Sequence, residues 1–236
     1  MKNKFNRIQF RNRQRQRISR RTVIIVSAFS FLLISGGLFT FFNLTQPQTA
    51  LAVYVSGDYR SKITGNWGTI GTWERFDGIS WVAAPATPTD TVGNVYITSP
   101  NVVTIAANVS IDQVIVDAGA TLVNASGKVV TIKNGGGTDM DVSGIFKNAG
   151  TVTIIAGAAI AFQSTGKYQH NFTTTAGTIP AATWVSGSTC EIIGYTSNSS
   201  APTGMQAFSN FTWNCPSQAS DINLNGTLTT VNGDFL

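Results

Sequence analysis

From residue 92 onward the chain is written in short β-branched groups. They are Val92-Gly93-Asn94-Val95-Tyr96-Ile97, Val102-Val103-Thr104-Ile105, Val114-Ile115-Val116, Val129-Val130-Thr131-Ile132 and Val152-Thr153-Ile154-Ile155, with Gly, Asn, Asp and Ser between them. Groups of this length and composition read as strands. Nothing after residue 52 carries the period of an amphipathic helix. Threonine, with 26 copies after residue 52, favours strands without adding charge.

The groups also recur. Val-Thr-Ile stands at 103–105, 130–132 and 152–154, at offsets of 27 and 22. The run Leu122–Ile132 matches Ile145–Ile154 with one residue deleted, which puts Asn124 and Asn148 in equivalent places 24 apart. Repeats of about 20–30 residues in a strand-rich chain point to a solenoid, each repeat one coil. The expected fold is all-β: a parallel β-helix with coils over residues 91–236. Asn124 and Asn148 should form a ladder, and the Val/Ile positions an internal apolar stack. A β-sandwich, with strands every ~8–12 residues, is the alternative, because the repeat length is irregular. Residues 53–90 differ in holding Trp67, Trp73, Trp81, Pro85, Pro88 and the pair Arg60/Lys62. An open solenoid end invites aggregation, so this segment reads as an N-terminal cap with its tryptophans over the first coil.

The net charge of +5 describes a leader rather than a domain. Nine of the sixteen basic residues lie within the first 21 positions, and no acid precedes Asp58. Beyond residue 52 seven basic residues face eleven acids, so a nucleic-acid partner is not expected. Residues 22–42 are uncharged and mostly apolar, long enough to span a ~30 Å hydrocarbon core. Ala50 and Ala52 stand where a signal peptidase reads, so residues 1–52 are expected to engage export machinery and to be cleaved after Ala52. Uncleaved, residues 22–42 would be the membrane contact. Both readings place the rest of the chain outside the cytoplasm. In an oxidising space Cys190 and Cys215, 25 apart, are expected to pair as a disulfide contributing ~3 kcal/mol; two buried free thiols are the alternative.

Several runs resemble a known group of proteins. Tyr59-Arg60-Ser61-Lys62, Gly65-Asn66-Trp67, Gly71-Thr72-Trp73-Glu74 and Trp81-Val82 look like the opening of large secreted repeat proteins of Bacteroidetes-type bacteria. Pro88-Thr89-Asp90, Val95-Tyr96-Ile97, Val103-Thr104-Ile105 and Gly119-Ala120-Thr121-Leu122 resemble the eight-glycine surface domain of hyaluronan-processing and adhesion proteins. Gly166-Lys167-Tyr168-Gln169-His170, Gly177-Thr178-Ile179-Pro180, Ala182-Thr183-Trp184, Gly187-Ser188-Thr189-Cys190 and Phe211-Thr212-Trp213-Asn214-Cys215-Pro216 are similar to a recurring segment of the same proteins. The resemblance implies a right-handed β-helix-like passenger on the cell surface and carries over no catalytic residues. Such chains run longer and end in a sorting domain. Val231–Leu236 reads as the middle of a coil, so further coils are expected beyond it.

Candidate chemistry is sparse. Asp139 and Asp141 would share one face of a strand ~7 Å apart, a spacing of use in glycoside hydrolysis. Their neighbours Gly135–Gly137 favour a solvated turn or a weak cation site instead. His170 reads as a turn or packing residue. Trp184 and Trp213 are candidates for stacking on sugar rings, with core packing as the alternative. No catalytic, cofactor or metal set can be named. The expected function is an exported structural or adhesive surface protein that binds polysaccharide or other cell-surface ligands along an elongated solenoid. A carbohydrate-active lyase or hydrolase module on the same scaffold, and a fragment without independent function, are the alternatives.

Overall fold

The computed structural model describes residues 54–224 and 226–236. The basic leader, residues 22–42 and the Ala50/Ala52 cleavage position therefore lie outside the described residues. Among the described residues no helix is long and apolar enough to cross a membrane. They form an all-β solenoid of about five turns.

Among the described residues four strands come first: β1 (Tyr59–Ser61), β2 (Gly65–Asn66), β3 (Trp73–Phe76) and β4 (Trp81–Ala83). The first coil holds β5 (Val95–Ile97), β6 (Val102–Ile105) and β7 (Val109–Ile111). The second holds β8 (Val114–Val116), β9 (Thr121–Asn124) and β10 (Val129–Ile132). The third holds β11 (Met140–Val142), β12 (Ile145–Asn148) and β13 (Thr151–Ile154). Two coils with two strands each follow, β14 (Ile160–Phe162) with β15 (Lys167–His170), and β16 (Thr183–Trp184) with β17 (Thr189–Ile192), before β18 (Asn210–Trp213). Stacking gives three sheets. Sheet A runs β16-β14-β11-β8-β5-β1-β3-β4, sheet B runs β18-β17-β15-β12-β9-β6-β2, and sheet C stops after β13-β10-β7. Every strand pairing except β1–β3 and β3–β4 is parallel, which excludes the antiparallel sandwich.

Alternation decides which side chains enter. On sheet B, Val103, Leu122, Phe146, Tyr168, Cys190 and Phe211 occupy one inward column, each fully buried. Each large apolar member contributes ~1.5–3 kcal/mol by leaving water. Sheet C stacks Ile111 and Ile132 inward and turns Ser110, Thr131 and Thr153 outward. The Val-Thr-Ile triplets at 130–132 and 152–154 are in register, as their offset of 22 indicates. The triplet at 103–105 is not their equivalent: it lies on sheet B and pairs with Leu122–Asn124. In-out-in is what any face of the solenoid requires, so the triplet marks a face and not a register.

The corner between sheets A and B is tight. The residue before five of the seven sheet-B strands is small: Ala120, Gly144, Gly166, Ser188 and Ser209. A Cβ on Gly144 or Gly166 would run into backbone carbonyls of the preceding coil. Their own carbonyls carry the corner onward, accepting from Lys167 N at 2.9 Å and Thr189 N at 3.0 Å. The other corners absorb the variation in repeat length. Nineteen residues separate Val95 from Val114, and 26 separate Val114 from Met140.

Residues 54–90 do more than cover an end. β1 and β2 pair in parallel with β5 and β6, continuing the solenoid, and the β3–β4 hairpin extends sheet A. Trp67 and Trp73 are buried as expected, edge to face at 5.0 Å, with Trp73 Nε1 donating to Trp67 O at 2.8 Å. Trp81 is turned to the outside.

Cys190 and Cys215 are free thiols, which corrects the disulfide expectation. Cys190 is in register with Phe211, so Cys215 lies four residues further along the next coil. That is ~13 Å of strand, beyond the reach of a disulfide. The Cys215 thiol donates instead to Ile192 O at 3.4 Å.

Two measurements check this architecture. Phe146→Ala should lower unfolding free energy in urea by ~3–5 kcal/mol, whereas Thr153→Val on the outer face should stay within ~0.5 kcal/mol of wild type. Unfolded without reductant, the chain should titrate both thiols, and in the native state Cys215 should label before the fully buried Cys190.

Candidate functional site

Sheet A presents a continuous outer row of Arg60, Tyr96, Ile115, Asp141, Ala161 and Thr183, one residue per coil. The steps are ~4.8 Å, the strand spacing. At its N-terminal end the β3–β4 hairpin adds Glu74, Phe76 and Trp81 to the same face, through the pairs Arg60↔Glu74 and Phe76↔Trp81. Tyr54 stands among these rings, 4.9 Å from Trp81, 5.1 Å from Tyr96 and 6.0 Å from Phe76 by centroid. All four rings are half-buried and none belongs to the core.

Charge is fixed beside the rings. The Arg60 guanidinium carbon sits 4.5 Å from the Trp81 ring centroid. Its Nη2 and Nε donate to Glu74 Oε2 at 2.8 and 3.0 Å, and Lys62 Nζ lies 4.0 Å from Glu74 Oε1. Burial, reinforced by the Asp58 carboxylate, pushes the Tyr96 hydroxyl pKa up, so that group remains a donor at neutral pH. Flat apolar rings beside a held arginine–glutamate pair offer what a pyranose needs: a surface for its C–H face, and donors and acceptors for its hydroxyls. The signal was present in Trp73-Glu74-Arg75-Phe76, where alternation with buried Trp73 turns Glu74 and Phe76 outward. It was missed because all three cap tryptophans were assigned to packing.

The residues singled out for sugar stacking lie elsewhere. Trp184 takes the inward position above Phe162 and stacks on it at 4.5 Å and 13°, with Phe208 edge-on at 4.9 Å. This corrects its reading as a ligand platform: its ring is part of the aromatic core. Trp213 is half-buried, its Nε1 donating to Gln218 Oε1 at 2.7 Å and its ring against Tyr195 at 5.3 Å.

Asp139 and Asp141 are not a catalytic pair. Asp141 faces outward and accepts from Gln163 Nε2 at 3.1 Å. Asp139 is fully buried, corrects the solvated-turn reading, and accepts from Gly135 N and Ala159 N, each at 2.6 Å. Asp58, at the equivalent place three coils earlier, likewise binds Val55 N and Asn94 N at 2.9 Å. Each carboxylate ties its own turn to the next coil, and hydrogen bonds to backbone amides offset the cost of burial.

The predicted asparagine ladder exists and reaches further than expected. Asn124 Nδ2 donates to Asn148 Oδ1 at 2.8 Å, and Asn148 Nδ2 donates to the Tyr168 hydroxyl at 3.1 Å. That hydroxyl lies 3.2 Å from His170 Nδ1, and His170 Nε2 lies 2.7 Å from Ala176 O. A carbonyl only accepts, so Nε2 carries the proton and Nδ1 accepts from Tyr168. The chain is complete with every member neutral. Burial pulls the His170 pKa down from 6.5 to about 4. His170 is a sealed packing element of the interior, the second of the two roles, turn or packing, read for it.

Among the described residues no group of three or more His, Cys, Asp or Glu is placed to hold a metal ion. Comparison with protein-family models, curated proteins and solved structures finds no match to this chain.

The histidine carries a pH prediction. Its folded-state pKa lies below its unfolded value, so the unfolded chain binds the extra proton. Its contribution is intact above pH ~6.5 and is lost as the pH falls towards 4, by up to about 3 kcal/mol. Urea titrations of wild type and His170→Gln should differ in slope across that window, with the variant flatter.

Proposed function

We propose that this protein is an exported structural or adhesive component of the cell surface that binds polysaccharide on the outer face of its solenoid. The observation that carries the reading is the cluster of Tyr54, Phe76, Trp81 and Tyr96, held outside the core beside the Arg60–Glu74 pair. Rings that served only stability would be expected within the apolar interior, as Trp67 and Trp73 are. The scaffold supports the same reading. A stack of coils is rigid and long for its mass, and its outer rows repeat, so weak contacts add along one polymer chain. The basic, apolar leader and the resemblance to secreted bacterial repeat proteins support export.

Retention of the full-length protein on immobilised polysaccharides tests the reading. Wild type should be retained, and Trp81→Ala or Tyr96→Ala should weaken retention by about tenfold or more while thermal unfolding stays cooperative. Release of reducing ends during incubation would move the assignment to a carbohydrate-active enzyme. Retention unchanged in both variants would remove the aromatic face from the account.

A further inference from the structure

Sheet C ends at β13, whereas sheet A continues for two more strands and sheet B for three. Beyond that edge the chain between β15 and β16 makes no strand. Residues 171–175 lie against the corner of the coils above and leave a cleft of about 440 Å³, with Ser126 and Thr151 on one wall and Asn171 and Thr173–Thr175 on the other. That volume falls within the ~300–1,000 Å³ usual for ligand sites.

Three properties of the cleft converge. No charged residue lines it. Its polar side chains are unused: among the described residues, none of those six makes a side-chain hydrogen bond, including the amide of half-buried Asn171. Some hydroxyls elsewhere are paired, such as Thr178 with Thr203 at 2.7 Å and Thr165 with Ser143 O at 2.7 Å. The wall is also held in place from behind. Phe172 stacks on His170 at 4.4 Å, Ala176 O takes the His170 and Tyr195 hydrogen bonds, and Thr173 O accepts from Thr196 N at 3.1 Å. Gly177, at φ +63°, packs so close to the Phe172 ring that a Cβ could not be accommodated. The loop therefore offers hydroxyl and amide groups in a fixed array and loses little entropy when a ligand is bound.

We infer that this cleft is a binding site for a neutral, hydroxyl-rich glycan. Hydroxyls and a primary amide donate and accept in turn, which matches sugar hydroxyls, whereas a carboxylate or sulfate would find no cation there. The site rests on the polysaccharide-binding reading above and adds a second contact, remote from the aromatic face. The outward Ser110–Thr131–Thr153 column, uncharged and spaced one strand apart, continues the hydroxyl surface along the solenoid from Thr151.

Calorimetric titration of the full-length protein with a neutral β-glucan, a galactomannan and, for contrast, alginate tests the inference. The expected result is binding of a neutral polymer that is insensitive to salt between about 0.05 and 0.5 M. Asn171→Ala and Thr174→Val should each weaken it by about tenfold, with unchanged thermal unfolding. Neutral-glycan binding that survives both variants but is lost in Trp81→Ala overturns this site and leaves the polysaccharide reading standing, as does binding confined to alginate. Binding to none of the three polymers, together with no retention on immobilised polysaccharide, overturns both.

Discussion

The parallel hydrogen-bond ladder from coil to coil is what the rest of this molecule depends on. No single coil encloses enough apolar surface to fold alone; each buries its inward side chains only with a neighbour above and below. The ladder also fixes register, and register decides everything local. Shifting one strand by one residue would turn Leu122, Phe146 or Tyr168 outward and bring the polar row inward. The small residues at the corner between sheets A and B keep the coils close enough for the ladder to run uninterrupted, and the Asp58 and Asp139 carboxylates tie turns across it.

Within that frame the coils are free to vary where the ladder does not pass. Insertions appear as loops between sheets, and the region after β15 abandons the third sheet altogether. The two surfaces with binding chemistry lie at these departures. One is the antiparallel hairpin that extends sheet A with aromatic rings, and the other is the loop that takes the place of a fourth sheet-C strand. A regular solenoid supplies rigidity and repetition, and its irregularities supply specific contacts.

The interior is polar in one file, and this bears on stability. Asn124, Asn148, Tyr168 and His170 form a neutral relay in a core otherwise made of aliphatic and aromatic side chains. The arrangement costs little because its donors meet acceptors; the exception within it is an acceptor, Asn124 Oδ1, which receives no hydrogen bond. Acid would disturb this file first at His170, since a proton there removes the acceptor that Tyr168 uses.

Much of the fold was legible because it depends on local pattern. Alternation, β-branched groups and turn residues identify strands, and the match of Leu122–Ile132 to Ile145–Ile154 identified both the solenoid and the Asn124–Asn148 contact. The candidate site was much less legible. Trp81 and Trp73 lie eight residues apart in the same cap segment, yet one is outside and the other inside. Trp184 was read as a sugar-stacking platform or as core and Cys190 as a disulfide partner, and the register turns both inward, Cys190 into the core and Trp184 against it.

By itself, the sequence determined the all-β class, the approximate coil length, the stacking of Asn124 on Asn148 and the separation of a basic leader from a weakly acidic domain. Only the tertiary structure decided which residues meet across coils: that Cys215 overshoots Cys190, that Arg60 lies over Trp81, and that Ser126 faces Thr174 across a cleft. The reason is physical. A strand announces itself within four or five residues through the period of its side chains. Contact between coils depends on the exact number of residues in every intervening loop, and one extra residue in a turn moves all that follows.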